Sequence, residues 1–358
     1  MIAAGHEVDI VSGSPVAHVS RPVDRATYIP LVPADIFQRL APQAPDLKSY
    51  MPPRPAAWAK FVRWIGSSNY DVYHLFGYGF TLVDVAGVAL TRAGKPFGLT
   101  LLGAPYSPVE QGGLQLAAFR AYELLFGART LRNARRLHSI SYDSAKHPSF
   151  AHVEEKIDVI HCGVNLPPTI PLSRPANVPD RFFLSVGRLQ WSKGFETALT
   201  ALQRAGQDGV RYNYCIAGPP AGHERVLTRL AESLGISSQV MLLGRVSDSQ
   251  LEWLYRNAAA LLIPSLFEPF GLVSLEAMIR GLPVAASAVG GLAETIEDGK
   301  TGHLFPRGGS DRLAALLNLL AAGRDERMVE AALARARSQT WEVVAEQQVD
   351  WYRRYLLR

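Results

Sequence analysis

The chain has 358 residues, 48% hydrophobic and 19% charged, enough for two domains of ordinary size with substantial cores. Its net charge of +5 is mild for that length, suiting anionic small molecules or a weakly anionic surface and arguing against nucleic acid as a partner. Cys162 and Cys215 are the only cysteines and suggest neither a disulfide framework nor a metal site. No apolar run approaches the roughly 18–20 residues of a membrane span, and no basic stretch precedes an apolar core at the N-terminus, so a cytoplasmic location is expected.

The opening MIAAGHEVDIVSGSP reads as a helix stop at Gly5-His6-Glu7 running into a strand, EVDIVSG (7–13). Further strands are expected in DVYHLFGYG (71–79), PFGLTLLGA (96–104), RLHSISY (136–142) and EKIDVIHCG (155–163), with helices near 56–66, 80–94 and 113–134. The 56–66 helix sets Trp58, Phe61, Val62 and Ile65 on one face, which favours packing on the sheet over lying on a membrane. In 119–137, Arg120, Arg129, Arg132, Arg135 and Arg136 read as a solvated face, with peripheral contact to anionic lipid headgroups as the alternative.

LPPTIPLSRPANVPD (166–180) holds five prolines in fifteen residues and reads as a linker. Beyond it, continuous apolar runs alternate with helical patterns. The runs are FFLSVGRL (182–189), NYCIAGPP (213–220), VMLLGRV (240–246), AALLIPS (259–265), PVAASAVG (283–290) and GHLFP (302–306). Helices are expected to start near Phe195, Arg225, Asp248, Gly271, Leu292 and Asp311. Strands without alternation, each followed by a helix, point to a parallel sheet covered on both faces, a doubly wound α/β domain. A final helix after Thr340 places Val344, Gln348, Trp351 and Tyr355 at helical spacing and is expected to dock across the seam between domains. The expected organisation is a Rossmann-like domain over 1–165, the linker, a second Rossmann-like domain over 181–340 and a terminal helix over 341–358 crossing back to the first. Ligands of such folds bind in the crevice at the carboxyl ends of the strands.

Two turns carry chemistry. SVGRLQWSKGFETAL places Arg188, Lys193 and Gly194 between a strand ending at Gly187 and a helix start, an arrangement suited to an anion. Solvated loop cations are the ordinary alternative. In SLFEPFGLVSLEAMIRGLPV, Glu268 follows a strand and Glu276 lies eight residues on, inside the next helix. Leu272, Glu276 and Ile279 share a helix face, so Glu276 is expected to point inward, where a carboxylate needs partners. A vicinal diol would satisfy both its oxygens. Gly271 permits close backbone approach, and the helix start offers N–H donors to hydroxyls. The alternative is that Glu268 caps the helix electrostatically and Glu276 pairs with an arginine.

VGRL…KG, EPFGLVSLE and GLPVAASAVGGLAETIEDGKTG, in that order, resemble the retaining, nucleotide-sugar-dependent glycosyltransferases of family 4. The resemblance takes in the IAGPP and LLGRVSDSQLEWLY segments, VIHCGVN (159–165) and the helix opening at Trp341. It implies an α/β GT-B fold of two Rossmann-like doubly wound domains facing a cleft, and a pair of glutamates separated by seven residues, matched by Glu268 and Glu276. By the same resemblance Arg188 and Lys193 hold the donor diphosphate, and Glu276 takes the ribose hydroxyls. Glu268 and the Phe270-Gly271-Leu272 backbone hold the sugar. Gly244-Arg245-Val246 lie near the base, Gly290-Gly291 form a loop by the sugar and phosphates, and Gly187 and Gly218 complete the donor set. A UDP- or GDP-sugar would be the donor and a sugar, lipid-linked or small-molecule hydroxyl the acceptor. No cofactor and no metal are expected: fixed cations can stabilise the leaving diphosphate, and the chain shows no DxD-like aspartate pair in a suitable loop.

On the acceptor side the family histidine is expected before Gly103, where this chain has Leu102, which can neither donate to a hydroxyl nor stabilise charge. His74 is the other candidate there, with hydrogen-bonded structure as the commoner fate of such a histidine. The family pattern also places Met1 inside the first helix, so the N-terminal domain is expected to be incomplete, lacking its first strand and glycine-rich loop. An upstream start is the favoured explanation, a truncated and impaired copy the other. Two further functional readings stand beside transfer: a donor-binding homologue that is inactive or regulatory, and a GT-B sugar-nucleotide epimerase.

Overall fold

The computed structural model describes residues 5–12, 26–30, 55–103, 117, 120–206 and 212–357. The chain forms two compact units, Met1–Ile160 with Ala345–Arg358, and His161–Val344.

In the first unit β1 (Val8–Ser12) pairs in parallel with β2 (Ala26–Pro30), a strand the sequence pattern did not suggest. A separate parallel sheet runs in the order β3 (Tyr73–Phe76), β4 (Phe97–Leu101), β5 (Arg136–Ser139) and β6 (Ile157–Val159). Helices α1 (Pro55–Ser67) and α2 (Thr81–Arg92) bring Phe61, Ile65, Val83 and Leu90 into a core with Phe97 and Leu99. The expected packing face of α1 is only partly buried, since Val62 is exposed. The helix expected over 113–134 resolves into a π-helical turn, Glu123–Gly127, and α3 (Ala128–Asn133), with 113–116 and 118–119 outside the described residues. A short α4 (Tyr142–Ala145) follows β5.

The second unit is a six-stranded parallel sheet. Its strands are β7 (Phe182–Val186), β8 (Asn213–Ala217), β9 (Val240–Gly244), β10 (Leu261–Ile263), β11 (Val284–Ser287) and β12 (His303–Phe305). The spatial order is β12-β11-β10-β7-β8-β9. This is the 3-2-1-4-5-6 order of a dinucleotide-binding fold, whose direction of winding reverses between β7 and β10. The connecting helices are α5 (Phe195–Ala205), α6 (Glu224–Ser233), α7 (Asp248–Asn257), α8 (Leu272–Met278), α9 (Leu292–Thr295) and α10 (Ser310–Ala322). An additional helix, α11 (Glu326–Arg337), was absent from the expected set; Asp325 caps it by accepting from the Arg327 and Met328 amides. Both cysteines are free thiols.

The compact division falls at Ile160/His161, ahead of the proline-rich run. Hydrogen bonds explain the position: the Ser173 amide donates to the Ser249 carbonyl, and the Val164 amide to that of Gln339. The Arg174 guanidinium lies 5.2 Å from the Trp253 ring centroid, so residues 161–180 travel with the second unit. The last helix, α12 (Trp341–Tyr355), starts in the second unit, and its residues from Ala345 onward belong to the first. There Trp351 packs over β4 at Gly98, where a Cβ would come within 2.7 Å of the indole ring. The indole N–H donates to Asp158 at 2.8 Å. Among the described residues no helix is long and apolar enough to cross a membrane.

Beneath Trp351 lies a buried polar chain. His74 and His138 each place Nε2 on the Thr100 hydroxyl, at 2.7 and 2.8 Å, while neither buried Nδ1 has a hydrogen-bond partner among the described residues. Burial holds His138 down at about 4, against which the nearby Asp158 carboxylate and Gln348 act only in part. Burial, then the neighbouring His138, pushes His74 well below its ordinary range. Folded, both rings are neutral, whereas the unfolded chain takes up protons near pH 6.5. The stability they confer is therefore complete above about pH 6.5 and is lost as the pH falls toward 4. Thermal melts should show stability falling from pH 7.5 to 5, with His138 supplying about 2 kcal/mol of the loss. His138→Gln should flatten that slope, and an unchanged slope would place the acid sensitivity elsewhere.

Candidate active site

The two turns singled out in the sequence follow β7 and β10, the neighbouring strands at which the winding reverses. After β7 the chain makes a one-turn 3₁₀ helix, Trp191–Lys193, and enters α5 through Gly194 at φ 61°. Gly194 is required there, because a Cβ would stand 2.2 Å from the Pro264 carbonyl oxygen. The Leu266 amide donates to the Ser192 carbonyl at 2.8 Å, tying the turn after β10 to the turn after β7. This brings the Lys193 ammonium onto Glu268 Oε2 at 2.7 Å, with the Ser265 hydroxyl donating to the same oxygen at 3.3 Å. Both side chains are largely withdrawn from water, at 22% and 10% exposed. They line a small cavity with Val186, Pro264, Ser265 and Val273.

Around this pair the glycine positions act as contacts between turns. Gly291 lies flat on Phe270, its amide donating to the Glu268 carbonyl at 3.1 Å; a Cβ there would be 2.4 Å from Phe270 Cα. Gly271, at φ 91°, faces Leu292, and Gly290 sits at φ 50°. Gly187, Gly218 and Gly244 are stitched together at the ends of β7, β8 and β9: Gly187 donates to Ala217 and Gly218 to Gly244, at 2.9 and 2.8 Å. Arg188 and Arg245 are exposed, and neither guanidinium makes a hydrogen bond or ion pair among the described residues; Val246 is half-buried beside Arg245.

Glu276 is held differently. The Tyr255 hydroxyl donates to its Oε2 at 2.8 Å, and Arg280 donates to its main-chain carbonyl while its guanidinium pairs with Glu252. The helix face expected to turn inward does so unevenly: Ile279 is buried, Glu276 half-buried and Leu272 38% exposed. Leu272 begins α8 after the Gly271 turn, ahead of the packed part of the helix. The Glu276 carboxylate thus meets a neutral tyrosine and not an arginine, while Glu268 pairs with Lys193. Sequence reasoning passed over Ser265, Tyr255 and His161, whose Nε2 lies 3.0 Å from Glu294 and whose ring is 5.6 Å from that of Phe270. Ser265 was discoverable from its place three residues before Glu268; Tyr255 and His161 gave no local signal.

On the first unit, Gly103 takes φ 130° after β4, and Leu102 beside it is 49% exposed. His74 is engaged with Thr100 and stacked on Phe76 at 4.4 Å. Among the described residues no three His, Cys, Asp or Glu gather as metal ligands.

Two family models match in tandem: Glycosyltransferase Family 4 over residues 1–167 and Glycosyl transferases group 1 over 169–335, leaving a single residue between them. The D-inositol 3-phosphate glycosyltransferase of Mycobacterium tuberculosis (strain H37Rv) is 37% identical over 214 residues, covering 56% of this chain and 44% of that protein. The chain thus spans about half the length of the curated relatives it matches. Among solved structures, Anabaena HepE in complex with UDP superposes with a TM-score of 0.71 at 20% identity, covering 97% of this chain and 100% of that one. Sucrose-phosphate synthase from Thermosynechococcus elongatus gives 0.69 at 23%, covering 99% and 90%. A Rickettsia africae glycosyltransferase gives 0.75 at 17%, covering 99% and 91%. At these identities the structures speak for the fold, and the tandem models for the lineage: the chain belongs to the family-4 glycosyltransferases with the two-domain, Rossmann-like GT-B fold.

Proposed function

We propose that this protein is a retaining glycosyltransferase that moves a sugar from a nucleoside-diphosphate sugar to an acceptor hydroxyl without a metal ion. The observation that carries the reading is the Lys193–Glu268 pair at the winding reversal between β7 and β10. Breaking the anomeric C–O bond leaves negative charge on a diphosphate, and the groups needed most are fixed donors aimed at that charge. Lys193 and the exposed Arg188 flank the start of α5, an eleven-residue helix whose N-terminal amides and dipole favour an anion. Glu268, the Phe270–Leu272 backbone and Gly290-Gly291 form the sugar-side wall. Glu276 takes the ribose, and Gly244-Arg245-Val246 the base. Gly103 and His74 belong to the acceptor side of this reading.

UDP is the favoured nucleotide over GDP, supported by the HepE structures solved with UDP, with UDP and glucose, and with UDP-glucose. The name of the mycobacterial relatives suits a small polyol phosphate among the candidate acceptors. A thermal-shift comparison of UDP, GDP and ADP should rank UDP first, because the preferred nucleotide stabilises the fold by mass action.

Lys193→Ala and Arg188→Ala should each lower kcat about 100-fold while weakening nucleotide binding far less, as expected of groups acting mainly on the transition state. Equal losses in kcat and binding would remove the transition-state role. Nucleotide binding with no sugar release, with or without acceptor, would overturn transfer altogether, and anomeric NMR of the product tests retention.

Peripheral contact with an anionic membrane is the finer part of the same reading. Leu124, Leu125 and Phe126 are exposed beside the exposed Arg129, Arg132 and Arg135. The protein should sediment with vesicles containing phosphatidylglycerol and not with pure phosphatidylcholine; no difference between the two removes the membrane from the proposal.

A further inference from the structure

Glu276 is a flexible side chain on a half-exposed helix face, yet its carboxylate is fixed. Tyr255, on α7, is 2% exposed and directs its hydroxyl at Glu276 Oε2 at 2.8 Å. The Tyr255 ring is itself held in place, with the Arg280 guanidinium 4.9 Å from its centroid. Arg280 in turn is fixed by Glu252, with Nε on Oε2 at 2.8 Å, and Arg256 holds the other Glu252 oxygen at 2.7 Å. Glu252 is buried at 2% exposed, so the charges of Arg280 and Glu252 are spent largely on each other.

The result is a carboxylate gripped by a neutral donor with a cation close by that bonds only its main chain. Burial, followed by the charge of Glu276, pushes the Tyr255 hydroxyl well above its ordinary range, so it stays a donor at any working pH. A carboxylate has about four lone-pair sites. Tyr255 occupies one and fixes the plane, and Oε1 has no hydrogen-bond partner among the described residues. A vicinal diol requires two acceptors in a set orientation, which this arrangement supplies.

We infer that Tyr255 is a positioning residue that presents the Glu276 carboxylate to the ribose diol of the donor nucleotide, with Arg280 and Glu252 locking the tyrosine ring; the inference rests on the donor-site reading of Glu276 above. Tyr255 touches no substrate and acts through Glu276.

The test uses the full chain and calorimetric titration of UDP and GDP beside their 2′,3′-dideoxy forms, reading the base that binds more tightly. The wild type should prefer the ribonucleotide. Tyr255→Phe keeps the ring under Arg280 and should weaken the ribonucleotide about tenfold, the scale of a hydrogen bond to a charged group. The dideoxy form should change less than about twofold, because the lost bond acts only on the diol. Adding Tyr255→Phe to Glu276→Gln should cost the ribonucleotide no more than Glu276→Gln alone, since the tyrosine works only through that carboxylate. Equal weakening of both nucleotide forms would assign Tyr255 a merely structural role and overturn the inference, as would no weakening of either. A wild type that fails to distinguish ribose from dideoxyribose would instead remove the ribose role of Glu276, and the positioning of Tyr255 with it.

Discussion

β7 and β10 are neighbours in the sheet although Lys193 and Glu268, which follow them, are far apart in the chain. That adjacency is the constraint on which the candidate site depends. In a doubly wound sheet the helices after two such strands leave on opposite faces, and a crevice opens between their first turns. The turn after β7 contributes the ammonium, the turn after β10 the carboxylate, and the missing side chain of Gly194 lets the two backbones touch. A largely buried ion pair is poor value as a stabilising device: the desolvation of both ions offsets most of their attraction, and an apolar pair of similar volume often serves as well. What the pair does provide is oriented charge at the crevice where the winding of the sheet reverses.

The two glutamates of the seven-residue spacing are chemically identical and electrostatically unlike. Glu268 is neutralised in part by Lys193, so its site carries both signs of charge in contact. Glu276 is held by a neutral hydroxyl and keeps its negative charge as an acceptor. Had Arg280 reached the carboxylate, a strong charge-assisted pair would compete with any hydroxyl ligand. Glu252 prevents this by engaging Arg280 from α7, and the cation is left to stack on Tyr255. The two glutamates are therefore suited to different tasks in the proposed donor site, one beside phosphate and sugar, the other beside a diol.

Much of the second unit was legible in the sequence because its strands are buried on both faces. FFLSV and VAAS are continuous apolar runs that cannot be amphipathic helices, and each ends at a glycine or polar turn. EPFG marked the turn after β10 for a different reason: it holds a glycine, and Gly271 adopts φ 91°, which few other residues tolerate. Tyr255 could not be found that way. Its neighbours Leu251, Leu254 and Trp253 mask a polar contact that exists only once α7 lies beside α8. The first unit was harder for a related reason. β2, in ATYIP, is short and is defined by its pairing with β1, and the helix expected near 113–134 gives way to a π turn at Glu123–Gly127. Local pattern specifies elements that pack against a sheet in a regular way, and says little where pairing or helical register is decided by distant contacts.

The first unit carries such a dependence further, because Trp351 meets Asp158 across 193 positions of sequence. Gly98 in β4 is a weak strand former, retained where Trp351 needs its space. The indole finds its hydrogen bond on Asp158, and Arg136 donates two hydrogen bonds to the same carboxylate, each at 2.8 Å. Burial alone would raise the Asp158 pKa, but the hydrogen bonds from Arg136 and Trp351 outweigh it and hold the group below its usual range, so the carboxylate stays ionised and anchors both. Strand, tryptophan and salt bridge thus form one contact whose parts are separated by most of the sequence. Closing it carries the loop entropy of the whole intervening second unit, unless that unit is already compact when α12 arrives. The second unit, whose six strands pair with one another, is such a compact span.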